Sequence, residues 1–223
     1  MFNGNFKEAS SSTAYLPEDD PASFDLLADW ANHPTVSKSP RRIRNLVAVK
    51  DANGEDVASW DPVGFYSLAE KYCLPELQDI IMDATIKFHK KMNELPSVDF
   101  VIRAYESTSV GSPLAEYCMR AMVYIMRGNG LEEAWEGEGL ASLYELPAFR
   151  EAYVGMQRAV GPRGGQDPRK FPRCSFHAHE EGGYCVANRM IKISSPRGKK
   201  GVQNKRVRVE TSDSAELTGP DSD

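Results

Sequence analysis

The alternation of apolar and polar residues is most regular over residues 60–92, and its period is helical. Asp61-Pro62 is a pair suited to open a helix: the aspartate caps it, and the proline sits in the first turn, where a missing N–H costs nothing. Val63, Phe65, Tyr66, Ala69, Tyr72 and Cys73 then fall near helical spacing. After a break at Leu74, Pro75 opens a second helix in the same way. Leu77, Ile80, Ile81, Ala84 and Phe88 recur at i, i+3, i+4, i+7 and i+11, which is one apolar stripe. Gln78, Asp79, Asp83 and Lys87 lie between them and are expected to face water. Two short amphipathic helices must pack on each other and on a third element, so this pair is expected to be framework.

The same pattern places the other elements. Asp20-Pro21 starts a helix with Phe24, Leu27, Ala28 and Ala31 as its apolar stripe, ended by Pro34. Thr13 to Leu16 is a candidate short strand, and residues 32–45 read as loop. Leu46 to Val49, Asn53-Gly54 and Val57 predict a small β-hairpin, because Asn-Gly tolerates the positive φ of a two-residue turn. Val98, Val101, Ala104 and Tyr105 mark a third helix. Leu114, Cys118, Ala121, Met122 and Ile125 mark another, between Gly111-Ser112-Pro113 and Gly128-Asn129-Gly130. Residues 143–158 read as one helix with Leu146, Phe149, Tyr153 and Met156 on its apolar side. Arg189 to Arg208 holds eight Lys/Arg and no Asp/Glu, and Val209 to Asp223 holds five Asp/Glu and no Lys/Arg. With few large apolar residues, that ending is expected to be disordered. The fold class is therefore mainly α with a small hairpin. It divides into residues 1–92, a helical extension over 93–160, a Cys/His-containing segment over 161–190 and a tail over 191–223.

Composition narrows the class. The chain has 223 residues, 41% hydrophobic and 26% charged, as a globular protein does. Its formal net charge of −5 gives no global attraction to nucleic acid or anionic membrane. No apolar run approaches membrane-spanning length, and MFNGNFKEASSS is not laid out as a signal peptide. Four cysteines, with Cys73 and Cys118 inside predicted helices, do not make a secreted disulfide framework. An intracellular protein with free thiols, in the cytoplasm or the nucleus, is expected.

Candidate chemistry concentrates in one place. Cys174, His177, His179 and Cys185 follow the spacing C-x2-H-x-H-x5-C. Zinc prefers thiolate and imidazole ligands in a tetrahedron, and four such ligands leave no open position, so the site would be structural. On extended backbone His177 and His179 point the same way, and Gly182-Gly183 lets the chain return to Cys185. A polar β-turn segment without metal and a Cys174–Cys185 disulfide are the other readings of these residues. Cys118 on a buried stripe reads as packing, and His89 as a cation favoured at a helix C-terminus. The loop cluster Lys38, Arg41, Arg42 and Arg44 reads as a solvated face. Within residues 197–208, Lys199-Lys200 and Lys205-Arg206 read as solvated tail or as a nuclear import signal. No Ser-His-Asp order and no glycine-rich nucleotide loop is legible, so an enzyme is not expected.

Several stretches, in their order, resemble a known family. Leu68-Ala69-Glu70-Lys71-Tyr72-Cys73-Leu74-Pro75-Glu76-Leu77 resembles the helix pair in the back half of BTB/POZ domains, closest to the variety of filamentous fungi. Gly4-Asn5-Phe6-Lys7-Glu8-Ala9, then Tyr15-Leu16-Pro17-Glu18-Asp19-Asp20-Pro21-Ala22-Ser23-Phe24, is similar to the middle of that domain. Ser107 to Leu114 and the C-x2-H-x-H stretch are similar to what such fungal proteins carry after it. The resemblance covers roughly residues 1–127 and implies the C-terminal helical half of the fold, without the N-terminal half of the domain. It implies a non-catalytic adaptor that binds other proteins, including a cullin-type ubiquitin ligase scaffold. The usual homodimer contact is not expected, since it is built largely from the front half. The alternative expectation is a zinc-binding nuclear regulator that works through the Cys/His segment and the basic tail.

Overall fold

The computed structural model describes residues 19–33, 40–129, 138–160, 165–179 and 185. The expected strand at Thr13–Leu16, Lys38 of the basic cluster, the Gly182-Gly183 turn, and the basic and acidic tail all lie outside these residues. Eight α-helices and one two-stranded hairpin make up the described fold. In chain order they are α1 (Pro21–Asn32), α2 (Arg41–Arg44), β1 (Ala48–Lys50), β2 (Asp56–Ala58), α3 (Pro62–Lys71), α4 (Pro75–Met92), α5 (Val98–Ser107), α6 (Pro113–Tyr124), α7 (Glu138–Glu145) and α8 (Pro147–Val160). A π turn, Ile125–Asn129, ends α6, and two short 3-10 turns, Pro168–Lys170 and Arg173–Phe176, follow α8.

The helix starts are those the caps dictate. The carboxylates of Asp20 and Asp61 and the hydroxyls of Ser97 and Ser112 accept hydrogen bonds from backbone amides at the starts of α1, α3, α5 and α6. Between α3 and α4 the chain turns on Cys73, which has φ of 53° and is exposed. The Leu74 amide reaches back to the Ala69 carbonyl at 2.9 Å, the six-residue closure that ends a helix through a left-handed residue. Cys73 is thus a turn residue and not a member of the helical stripe. Asn93, with φ of 55°, ends α4 in the same manner.

The apolar faces of residues 60–92 are covered. α3 packs on α1, α4 and α5, while α4 packs on α2 and on the two 3-10 turns. Phe65, Tyr66, Leu77 and Ile81 are fully buried, and one continuous core joins Leu26 in α1 to Phe176. α6 carries Leu114, Cys118, Ala121 and Met122 into that core and meets α5 and α8. Met119 and Met122 fill core, whereas Met126 is exposed. Burial raises the Cys118 thiol far above its ordinary range, which leaves it an inert packing group.

Five further expectations about the elements need correction. In α1 the buried face is Ser23, Leu26, Leu27 and Trp30, one residue out of step with the expected stripe, and Phe24 is exposed. Ser23 lies against the start of α3: a Cβ placed on Gly64 would meet the Asp61 carboxylate at 2.7 Å and the Ser23 hydroxyl at 3.4 Å. In the loop 32–45, Arg41–Arg44 forms a helical turn around the fully buried Ile43, and Trp60 donates its ring N–H to the Arg42 carbonyl at 3.0 Å. The hairpin pairs Ala48 with Ala58 and Val49 with Val57, but its connection runs over Asp51–Glu55. Asp51 accepts from the amides of Asn53 and Glu55, and Gly54 alone takes positive φ. Residues 143–158 are not one helix, because Pro147 has no N–H to continue α7 and opens α8 instead. His89 is no exposed cation: it lies stacked on Tyr117, with the two side chains hydrogen-bonded at 2.9 Å, and burial holds its pKa down at about 4.

Candidate metal centre

The Cys/His segment reaches its position through anchors of its own. Asp167 caps the first 3-10 turn and holds the Arg169 guanidinium in a two-pronged pair at 2.9 Å on each side, both side chains largely buried. Desolvation opposes ionisation of Asp167, but the Arg169 hydrogen bonds outweigh it and keep the carboxyl below its usual range. Arg169 also donates to the Glu94 carbonyl just past α4, at 3.0 Å. Phe171 and Phe176 then turn inward, their ring centroids 5.8 Å apart, and Phe176 meets Tyr117 of α6 edge-on at 5.3 Å. Phe176 is fully buried. The segment therefore lies across α4 and α6 through anchors that involve none of the four candidate ligands.

Cys174 lies in the second 3-10 turn, and His177 follows on extended backbone. The Cys174 thiol faces that of Cys185 at 3.4 Å. Nδ1 of His177 stands 3.2 Å from Nε2 of His179 and 3.5 Å from the Cys185 sulfur. No two of the four ligand atoms are more than 4.8 Å apart, so Cys174, His177, His179 and Cys185 lie close enough to bind one metal ion. His177 and Cys185 are buried, and the Cys174 side is open to solvent.

Two carboxylates of α4 stand behind this cluster, and their place overturns the expectation that they face water. Asp79 is buried, as is Gln78, and Asp83 is half-buried. Asp83 Oδ1 lies 3.2 Å from Nε2 of His177, on the side of the ring away from the other ligand atoms. Its two oxygens also take the Arg173 Nε at 2.9 Å each, and Arg173 adds an ion pair at 2.7 Å. Asp79 accepts the Ala178 amide at 2.6 Å and stands 3.8 Å from Nδ1 of His177. A carboxylate behind a ligating imidazole fixes its tautomer and leaves the other nitrogen to the metal. Here Asp83 would take the Nε2–H of His177 and free Nδ1.

The electrostatics of the metal-free cluster follow from the same contacts. Desolvation works against a charged His177, but the hydrogen bond to Asp83 and the charges of Asp79 and Asp83 outweigh it and raise its pKa. Burial raises that of Asp79 despite the Ala178 amide and the two histidines. Desolvation, the hydrogen bond to Cys185 and the neighbouring carboxylates push the Cys174 thiol up to about 11. Without a cation the Cys174 sulfur resists ionisation; a divalent ion supplies the charge that thiolate formation needs.

All four residues singled out in the sequence come together. Asp79, Asp83 and Arg173 were not singled out. The one signal for the aspartates is their i, i+4 spacing, which puts both on one side of α4. Among the described residues, no helix is long and apolar enough to cross a membrane. Compared with protein-family models, curated proteins and solved structures, the chain finds no match.

Proposed function

We propose that the chain is a non-catalytic, helical protein-interaction module, an adaptor of the kind its BTB/POZ resemblance implies, with a structural zinc ion clasping its C-terminal segment to α4. The observation that carries the zinc reading is the geometry of the Cys2His2 cluster. A tetrahedral zinc ion with ordinary bond lengths has edges of about 3.8 Å between sulfurs, about 3.3 Å between nitrogens and about 3.6 Å between sulfur and nitrogen. The sulfur–sulfur pair, the nitrogen–nitrogen pair and the Cys185–His177 pair stand at 3.4, 3.2 and 3.5 Å, and the remaining sulfur–nitrogen pairs lie within 4.8 Å, so a bound ion would draw them in. Two thiolates and two imidazoles match the donor preference of zinc and leave no position for substrate, which favours scaffolding over catalysis. An intracellular setting suits cysteines that stay reduced or metal-bound, and the partners are other proteins.

The test is metal analysis of the purified full-length chain. One zinc per chain is expected, displaced by a strong chelator with a drop in melting temperature. His177→Ala should remove the metal while the far-ultraviolet circular dichroism stays helical. A chain that carries no zinc when purified, and takes up none from a micromolar solution, refutes the metal reading.

A further inference from the structure

A groove runs along the side of α4 that carries Asp83, between that helix and the anchored segment that leads to the metal ligands. Its wider part, about 320 Å³, has a floor of Ile86 and Phe171 and is rimmed by Lys87, Lys90, Arg169 and Arg173. Beyond Asp83, Lys87 and Arg173 it continues into a narrower part of about 180 Å³ that reaches Arg44 and Asn45. From Ile80 to Lys90 the groove follows about ten helical residues, roughly 15 Å. That length fits about four or five residues of extended peptide.

The charge of the groove runs against that of the chain. The whole protein is −5, yet five cations line the two parts; Asp167 neutralises Arg169 and Asp83 neutralises Arg173, so the positive excess comes from the exposed Lys87 and Lys90 with Arg44 beyond them. Asp83 is turned inward, engaged by both His177 and Arg173. Lys87 and Lys90 are exposed one turn apart on α4.

We propose that this groove binds an acidic peptide segment of a partner protein in extended form. Its carboxylates would meet Lys87, Lys90 and Arg173, and one apolar side chain would cover Ile86 and Phe171. An apolar floor within a cationic rim is complementary to such a segment and supplies both anchor and register. Nucleic acid fits less well. A long polyanion is repelled by the acidic remainder of the chain. The Phe171 ring already has the Arg120 guanidinium 4.9 Å above one face and Phe176 tilted against it, which leaves room for an aliphatic contact but not for a stacked base. The inference rests on the zinc reading at one point, Arg173, which adjoins the ligand Cys174; the rest of that wall is held by the Asp167–Arg169 pair and the burial of Phe176.

The experiment is fluorescence anisotropy on the full-length chain, with bound zinc measured on the same samples. The probes are a fluorescein-labelled peptide of alternating Glu/Asp with a central leucine, its Gln/Asn counterpart, and labelled oligothymidylate. The acidic peptide should bind, its affinity should fall with salt, and Lys87→Glu with Lys90→Glu should weaken it about tenfold or more. Both lysines are exposed, so zinc content and melting temperature should hold; Lys90→Glu alone should give a smaller loss in the same direction. Equal binding by wild type and double variant, equal binding of the neutral peptide, tighter binding of oligothymidylate, or no peptide binding by a zinc-loaded chain each overturns the groove. Peptide binding that is lost on charge reversal in a chain without zinc keeps the groove and refutes the metal reading.

Discussion

Replacing Asp83 by alanine should weaken zinc binding about thirtyfold without removing any ligand. The size follows from what the carboxylate touches. Nε2 of His177 lies 3.2 Å from it, and the His177 side chain has no exposed surface. Deleting the acceptor therefore orphans a buried donor, at about 1–3 kcal/mol. The Arg173 pair adds little, because 43% of the Arg173 side chain is exposed and such pairs are worth about 1 kcal/mol or less. Taking roughly 2 kcal/mol for the sum gives about thirtyfold in affinity, inside the range of about 10–100-fold seen for partners of metal-bound imidazoles. The assay is competition with a chromophoric chelator of known zinc affinity. Asp83→Asn, which keeps an acceptor oxygen, should lose less than Asp83→Ala, and Arg173→Ala should lose least. Wild-type zinc affinity in Asp83→Ala would refute the reasoning, as would Arg173→Ala matching Asp83→Ala. The second result would mean that the ion pair, and not the imidazole, is what Asp83 serves.

Three further outcomes are expected. His89 is held down at about 4 by burial and, secondarily, by the charge of Arg169, while the unfolded chain restores its ordinary value of 6.5; the unfolded state therefore binds the extra proton as pH falls from 6.5 towards 4, and stability is lost in that window. About 2 kcal/mol should go between pH 7 and pH 5, and His89→Gln, which keeps a partner for the Tyr117 hydroxyl, should flatten that part of the urea-midpoint profile; an unchanged profile refutes the assignment. In zinc-free protein, dilute peroxide should join Cys174 to Cys185, whose sulfurs are 3.4 Å apart. Two thiols lose two electrons and two protons as peroxide is reduced to water; peptide mass mapping should find the bond only when zinc is absent, forming faster at high pH because the Cys174 thiol is held up at about 11. Phe149→Ala should cost about 3–5 kcal/mol, because the ring is fully buried among Tyr105, Tyr144 and Tyr153, and a urea midpoint close to wild type would show that α7 and α8 do not share the core.

What the sequence made legible is what short-range chemistry decides. Asp61-Pro62, Ser97 and Ser112-Pro113 each combine a cap with a helix start, so α3, α5 and α6 begin where the residues require. The stripe of α4 is long enough to show its period. Errors arose where a distant element decides burial. Gln78 and Asp79 are polar residues on the polar side of an amphipathic helix, and the segment that covers them lies about 100 residues later. Ser23 is buried because it lies against the start of α3 near Gly64, a contact that neither residue carries alone. His89 has the position of a dipole-stabilised cation but the surroundings of a neutral core group, and Tyr117, 28 residues on, makes the difference. The ligand set was legible because its spacing is local; the aspartates behind it belong to another element.

That division bears on what the metal does. The segment from Asp167 to Phe176 is held by the Asp167–Arg169 pair, the Arg169 bond to Glu94 and the burial of Phe176, none of which involves a ligand atom. Burying one phenylalanine contributes about 1.5–3 kcal/mol, comparable to a good part of a domain's net stability. The helical core therefore does not depend on the ion as a small zinc finger does. The ion acts chiefly further along, where among the described residues beyond Phe176 the Ala178–Asp79 bond, the His177–Asp83 bond and three of the ligands hold the chain against α4. Metal loss should then free residues 177–185 and loosen the wall that Arg173 lends to the groove, while protection of α3, α4 and α6 amides persists. In hydrogen exchange this appears as a local rise confined to the segment. A rise across the whole core on chelation would mean that the anchors before Cys174 are too weak to stand alone.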